Sequence, residues 1–381
     1  MVKKLILLFL VWRIFLFVPI VIAEQFIKYR KGFEYTSLNH FLDKPQGLIS
    51  HFMLSAWGNF DGIHYLLIAA NGYTVNAGFF PLFSMLLNVV SSVFGKAVAF
   101  SPMQYFVSHA IVSFCFIVSL IMLYKLIKLD HKDNIAFFTI VFMLLFPTSF
   151  FYASIYSESL FLLLSLLSFY FVRTNRWFLA SVCAGLLTAT RLVGIAIIPA
   201  LIYEFVKKEK SLFKLKSLYL LLGFSGILGY MWFNFVNWGD ALFFIKAQGA
   251  FHNDRSVDSI VLIPQTIYRY LKILLTVNPN IFEWWVALLE IATFIFVSIM
   301  LFVALRKKVR FSYILFAVLC FLIPISTGTF SGLPRYALVL FPIFIALALV
   351  KNRFIKIAYS IVGFILLLIL LAVFSKGYYV A

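Results

Sequence analysis

Long apolar runs follow one another along this chain, separated by short polar or basic interruptions. Runs of about 15 to 25 residues, wound as helices, are long enough to cross the ~30 Å hydrocarbon core of a bilayer, so the pattern predicts transmembrane helices. The strands of a lipid-facing barrel would be shorter and would alternate in polarity, which these runs do not. We place about eleven spans, near 5–23, 103–126, 134–152, 157–172, 177–191, 193–206, 217–236, 285–305, 311–325, 336–350 and 354–374. The first follows Met1-Val2-Lys3-Lys4 and resembles a signal peptide, but Ile22-Ala23-Glu24 is a poor cleavage site and the apolar run is long. We read it as a retained span.

The basic residues order these spans, because Lys and Arg gather on the cytoplasmic side of membrane proteins. With the N-terminus inside, Lys125/Lys128/Lys132, Arg173/Arg176, Lys207/Lys208/Lys210/Lys214/Lys216, Arg306/Lys307/Lys308/Arg310 and Lys351/Arg353/Lys356 all fall in the cytoplasm. That holds only if the apolar stretch from Phe79 to Gly95 does not cross, so it is expected as a juxtamembrane or re-entrant helix on the outer face. The stretch Gly377 to Ala381 then lies outside. Two long polar segments also fall outside, within 24–102 (including the helix 79–95) and at 237–283, and they form the expected active face of a single membrane domain, 1–381.

Composition narrows the class. Hydrophobic residues make up 64% of the chain and charged ones 12%, and the mean hydropathy is +1.02, values that no soluble globular domain sustains. The net charge of +18 sits in clusters between spans, where topology accounts for it, so no nucleic-acid partner is expected. Cys115, Cys183 and Cys320 lie in apolar runs without paired spacing or His neighbours, which argues for packing rather than disulfides or zinc. No phosphate-binding loop and no HExxH occur, and nothing reads as a soluble nucleotide-binding domain. A lipid-linked sugar donor suits such a chain better than a nucleotide sugar.

Only 14 acidic residues occur, and Asp61 stands out among them. On a helix starting near Ala56, Trp57, Asp61, His64 and Tyr65 recur at three- and four-residue spacing and share one face. A carboxylate, an imidazole and two aromatics so placed suit a polyol, with Asp61 accepting the proton of an attacking hydroxyl. The same pattern also describes an interfacial amphipathic helix with a solvated carboxylate. Glu158, in Tyr156-Ser157-Glu158-Ser159, sits at a span start, where it either orients a basic residue or sugar hydroxyl, or favours the helix dipole. Arg191 and Arg335 are outer-side cations suited to gripping a lipid phosphate through the planar guanidinium fork, or to snorkelling. Gln248, His252, Asp254 and Arg255 form the polar centre of the second outer segment, either as an acceptor site or as a solvated loop. Arg13 and Glu290 are intramembrane charges, paired with each other or lining a cavity.

The string Phe60-Asp61-Gly62-Ile63-His64-Tyr65, Ile68-Ala69-Ala70-Asn71-Gly72-Tyr73 and Phe79-Phe80-Pro81-Leu82 resembles the signature of the GPI mannosyltransferase II (phosphatidylinositol-glycan class V) family and its prokaryotic relatives, among the C-type, lipid-donor glycosyltransferases. Phe151 to Phe161, Thr190-Arg191-Leu192-Val193-Gly194 and Pro334-Arg335-Tyr336 continue the match in the family order. The resemblance implies an all-α integral membrane protein of the C-type glycosyltransferase fold, with Asp61 as catalytic base. It implies an inverting transfer from a polyprenyl-phosphate sugar, commonly mannose. Trp57, His64, Tyr65, Glu158, Arg191, Gln248, His252, Arg335 and Tyr336 are the expected substrate-binding residues. Cations, or a divalent ion such as Mg or Mn, would offset the charge of the departing phosphate. The acceptor stays open among lipid, glycan and protein. One departure is local: the family usually shows Arg-Trp before the aspartate, where this chain has Asn59-Phe60.

Two other classes use lipid-linked saccharides. A transporter or flippase would carry mid-bilayer polar pairs in symmetrical halves, whereas polar residues here gather at one face. A saccharide polymerase or ligase would rely on Arg and His residues of a large loop rather than on Asp61. The expected location is a plasma membrane, preferably bacterial, with the site external.

Overall fold

The computed structural model describes residues 1–30, 52–53, 55–74, 76–212, 214–251, 255–256 and 259–381. Among the described residues there is helix and no strand. The elements used below are α1 (Val2–Phe26), α2 (Asp61–Asn71), α3 (Pro81–Ser92), α4 (Pro102–Lys128), α5 (Asp133–Leu144), α6 (Glu158–Arg173), α7 (Trp177–Thr188) and α8 (Ile197–Glu209). They continue with α9 (Leu215–Trp238), α10 (Ile263–Thr276), α11 (Phe282–Arg306), α12 (Phe311–Ile325), α13 (Leu333–Tyr336), α14 (Phe341–Leu349) and α15 (Arg353–Ser375).

Each of the eleven expected spans overlaps helix, but those at 134–152, 177–191 and 336–350 are interrupted or end early. Five helices, α1, α4, α9, α11 and α15, are long and apolar enough to cross a membrane, and α3, α5, α7 and α12 are shorter apolar helices. The chain is an integral membrane protein. Its outer surface agrees: Phe354, Ile357, Ile361, Ile365 and Ile369 of α15 are exposed, an apolar stripe that lipid accommodates and water would not. Local signals set the helix starts. At α4, Ser101 Oγ accepts the Gln104 N–H at 3.2 Å and Pro102 follows at the first helical position, where its missing N–H costs nothing.

Small residues let two helices touch. A Cβ on Gly226 of α9 would stand 2.1 Å from the Gly185 carbonyl oxygen of α7, so only glycine permits this approach. Gly226→Ala is expected to lower the thermal unfolding temperature of the purified protein, with overpacking costs of about 1–3 kcal/mol. An unchanged unfolding temperature would mean the two helices separate without penalty.

One end of the bundle is tied by ion pairs. Arg173 at the end of α6 donates to Asp130 at 2.5 and 2.8 Å and to the Tyr313 hydroxyl at 3.0 Å. Arg310, before α12, donates to Glu204 of α8 at 2.5 and 2.6 Å, and Ser312 Oγ donates to the same carboxylate at 2.5 Å. These joints hold α6, α8 and α12 together and leave the opposite helix ends to form the site.

Two local expectations change, and the helix expected at 79–95 is present. The helix carrying Asp61 begins at Asp61 rather than near Ala56, because Phe60 takes φ +56° and interrupts any helix running in from Trp57, which sits in a separate turn, Ser55–Trp57. The stretch 79–95 does contain a helix, α3, and it lies against α2: Ser84 Oγ donates to the Tyr65 carbonyl at 3.1 Å and Asn88 Nδ2 to that of Ala69 at 2.6 Å. The segment 237–283 holds a further helix, α10. Its buried stripe includes Thr266 and Tyr270, while Tyr268, Leu271 and Leu275 are exposed.

Candidate active site

A cavity of about 1540 Å³ opens between α2, α10, α11 and the α12–α13 turn. Asp61 is the first residue of α2, where a carboxylate is favoured by the exposed N–H groups of the first turn. Its Oδ2 accepts a hydrogen bond from Arg335 Nη1 at 2.5 Å, and 27% of its side chain stays exposed toward the cavity it lines. Arg335 comes from α13, and its Nε lies 3.4 Å from Glu158 Oε1 at the start of α6. Arg191 Nη1 donates to that same oxygen. Carboxylate and guanidinium thus alternate in the order Asp61, Arg335, Glu158, Arg191. Glu158 is 1% exposed and Arg335 8%, a depth at which each charge is tolerable only through its partners.

The network also has an aromatic pivot. The Arg191 guanidinium stands 4.7 Å from the centre of the Tyr336 ring, and those of Arg255 and Arg335 stand 5.9 Å from it, within range of cation–π attraction. Arg255 is steered by Gln248 Oε1 at 3.2 Å and the Ser331 carbonyl at 3.1 Å, while Gln248 Nε2 donates to the Gly78 carbonyl at 2.9 Å. Three cations therefore face one corner of the cavity, an arrangement suited to a phosphate.

Most of the residues singled out in the sequence meet here. Asp61, His64, Tyr65, Arg191, Gln248, Arg335 and Tyr336 line the cavity, and Glu158 stands behind it. The Tyr65 hydroxyl lies 3.0 Å from Ser157 Oγ. His64 stacks on Phe79 at 4.6 Å; burial holds its imidazole below the ordinary value, with Asp61 and Asn76 pulling the other way. Trp57 is elsewhere. Its indole is buried, donates to the Phe52 carbonyl at 2.8 Å and lies 4.1 Å from the Arg13 guanidinium. His252 and Asp254 lie outside the described residues.

Arg13 and Glu290 do not pair with each other. Arg13 Nη2 lies 3.2 Å from His109 Nδ1, while Glu290 lines the cavity and accepts from Tyr270. The departure at Asn59-Phe60 has a structural account. Asn59 is buried, donates from Nδ2 to the Phe374 carbonyl at 2.8 Å and accepts at its own carbonyl from the Tyr156 hydroxyl at 2.7 Å. Phe60 meets Tyr379 edge-on at 5.4 Å. Both residues are thus used to seat the Asp61 turn against α15 and the segment after it.

Other cavity residues escaped sequence reading. Tyr379 lines the cavity from the segment following α15, and Arg269 and Lys272 line it from α10. The i, i+3 spacing of Arg269 and Lys272, beside the apolar stripe of Tyr268, Leu271 and Leu275, was the available signal for the latter pair.

Asp61 and Glu158 are each engaged by guanidinium groups, and among the described residues no three His, Cys, Asp or Glu side chains converge.

A family profile described as mannosyltransferase (PIG-V) matches residues 2–224. Among solved structures, the fold is similar to that of ArnT from Cupriavidus metallidurans bound to undecaprenyl phosphate, with a TM-score of 0.50 and 14% identity, covering 94% of this chain and 62% of that one. The chain thus spans less than two thirds of that protein's length. A second similar structure is the apo oligosaccharyltransferase of Archaeoglobus fulgidus, with a TM-score of 0.48 and 12% identity, covering 97% of this chain and 56% of that one. No curated protein sequence matches the chain significantly. The helical architecture is similar to that of ArnT.

Proposed function

Because the chain belongs to the mannosyltransferase (PIG-V) family, we propose that it is a membrane glycosyltransferase, in the first instance a mannosyltransferase, that uses a polyprenyl-phosphate sugar as donor. The observation that carries this reading is Asp61 set at the cavity wall and joined through Arg335 to the Glu158–Arg191 pair. An acceptor hydroxyl attacks the anomeric carbon, its proton passes to the Asp61 carboxylate, and the bond from that carbon to the lipid phosphate oxygen breaks. Attack from the face opposite the leaving phosphate inverts the anomeric configuration. The phosphate departs with its charge toward Arg191, Arg255 and Arg335, which are fixed in place before reaction and so stabilise it without reorganising. Phosphate is a good leaving group, so a separate general acid is less needed than in glycoside hydrolysis.

The distribution of the basic clusters under the positive-inside rule supports an external face for the cavity, in a membrane for which a bacterial plasma membrane is the preferred reading. The acceptor is a lipid, glycan or protein hydroxyl presented at that face. The test is transfer of label from radiolabelled polyprenyl-phosphate-mannose to a panel of lipid, glycan and peptide acceptors by the purified protein. Appearance of mannosylated product supports the reading; a protein that binds the donor yet transfers nothing, while moving it between leaflets of a vesicle, would make it a flippase. With Arg191, Arg255 and Arg335 assigned to the leaving charge in this reading, turnover is expected to survive excess EDTA. Loss of turnover with chelator, restored by Mg or Mn, would reverse that assignment.

A further inference from the structure

The turn that delivers Arg335 and Tyr336 is held from behind by two side chains outside the ion network. Glu290 of α11 is 4% exposed and, among the described residues, makes no ion pair. Its Oε2 accepts from the Tyr270 hydroxyl of α10 at 2.6 Å and its Oε1 from the Gly332 N–H at 3.2 Å. The Tyr270 oxygen in turn accepts the Phe330 N–H at 3.0 Å and lies 3.2 Å from Thr329 Oγ1. Gly332 takes φ +78°, and its carbonyl receives the N–H groups of Arg335 at 3.0 Å and Tyr336 at 3.1 Å. It is the residue from which α13 starts.

Burying a carboxylate without a direct ion pair is expensive, and that cost is met only where its hydrogen bonds fix something. Here they fix a backbone turn in a conformation that L side chains rarely adopt. We propose that Glu290 and Tyr270 are positioning residues that latch the Thr329–Gly332 turn, so that α13 presents Arg335 to Asp61 and Tyr336 to the three guanidiniums. The proposal rests on the transferase reading of the cavity.

The test uses the full chain in lipid nanodiscs, with Glu290→Leu, Glu290→Gln and Tyr270→Phe. Hydrogen exchange is followed by mass spectrometry alongside sugar transfer. In Glu290→Leu, exchange is expected to quicken in peptides spanning 326–340 while those from α4 and α6 stay as in the wild type, and kcat is expected to fall about tenfold or more as the Arg335–Asp61 geometry loosens. Glu290→Gln keeps one oxygen acceptor, and Tyr270→Phe keeps the Gly332 bond, so both are expected to fall less and to remain folded if the leucine variant does not. Unchanged exchange at 326–340 in all three, or a rise shared by every helix, overturns the latch. If the wild type transfers no sugar, the proposed function fails while the exchange pattern still decides this proposal.

Discussion

Asp61→Asn is expected to lower sugar transfer by about 10²- to 10⁴-fold, the range over which a positioned general base contributes. Asparagine preserves the size of the side chain and still offers an oxygen to the Arg335 N–H now 2.5 Å away, so α2 and the cavity wall keep their places. What it removes is the capacity to take a proton from the incoming hydroxyl. Donor affinity should therefore stay near the wild-type value when measured as binding of polyprenyl phosphate. Retention of wild-type turnover by Asp61→Asn would end the proposed base role, and a parallel loss of donor binding would recast Asp61 as a residue that merely organises Arg335.

Arg335→Leu is expected to do more, because it injures chemistry and fold together. The arginine is 8% exposed and touches both Asp61 and Glu158; among the described residues, its removal leaves Glu158 with Arg191 alone and Asp61 without an ion-pair partner. Breaking a buried ion pair from one side typically costs about 3–5 kcal/mol. The variant should unfold at a visibly lower temperature and lose transfer at least as far as Asp61→Asn does. Arg335→Lys restores charge without the two-pronged guanidinium reach, so it should recover stability in part and turnover little. The mechanism is in error if the leucine variant keeps both its unfolding temperature and its rate.

The hydrophobic pattern foretold the helices because a bilayer imposes length and apolarity on each crossing separately, and those are properties of a single run of residues. Asp61, Glu158, Arg191 and Arg335 could each be singled out as charged groups near span ends. Their partnership could not: Arg335 and Asp61 are 274 residues apart, and nothing local records which guanidinium meets which carboxylate. Trp57 shows the converse. Helical spacing placed it beside Asp61, but one residue with positive φ, Phe60, separates the two and sends the indole against Arg13 instead. Helix α10 was obscured for a third reason. Its exposed face is itself apolar, so its pattern reads neither as a span nor as an ordinary surface helix until the cavity-facing stripe of Arg269 and Lys272 is recognised as a separate side.

That three-sided helix changes what concentration means for this protein. One side of α10 packs on the bundle, one lines the cavity, and the third, through Tyr268, Leu271 and Leu275, lies open and apolar. The proposed lipid-linked donor, dissolved in the bilayer, would meet such a wall by sliding within the plane of the membrane rather than by diffusing through water. Its encounter rate is then set by lateral mobility and by how many donor molecules there are per lipid, a two-dimensional quantity that the volume of the surrounding solution does not enter.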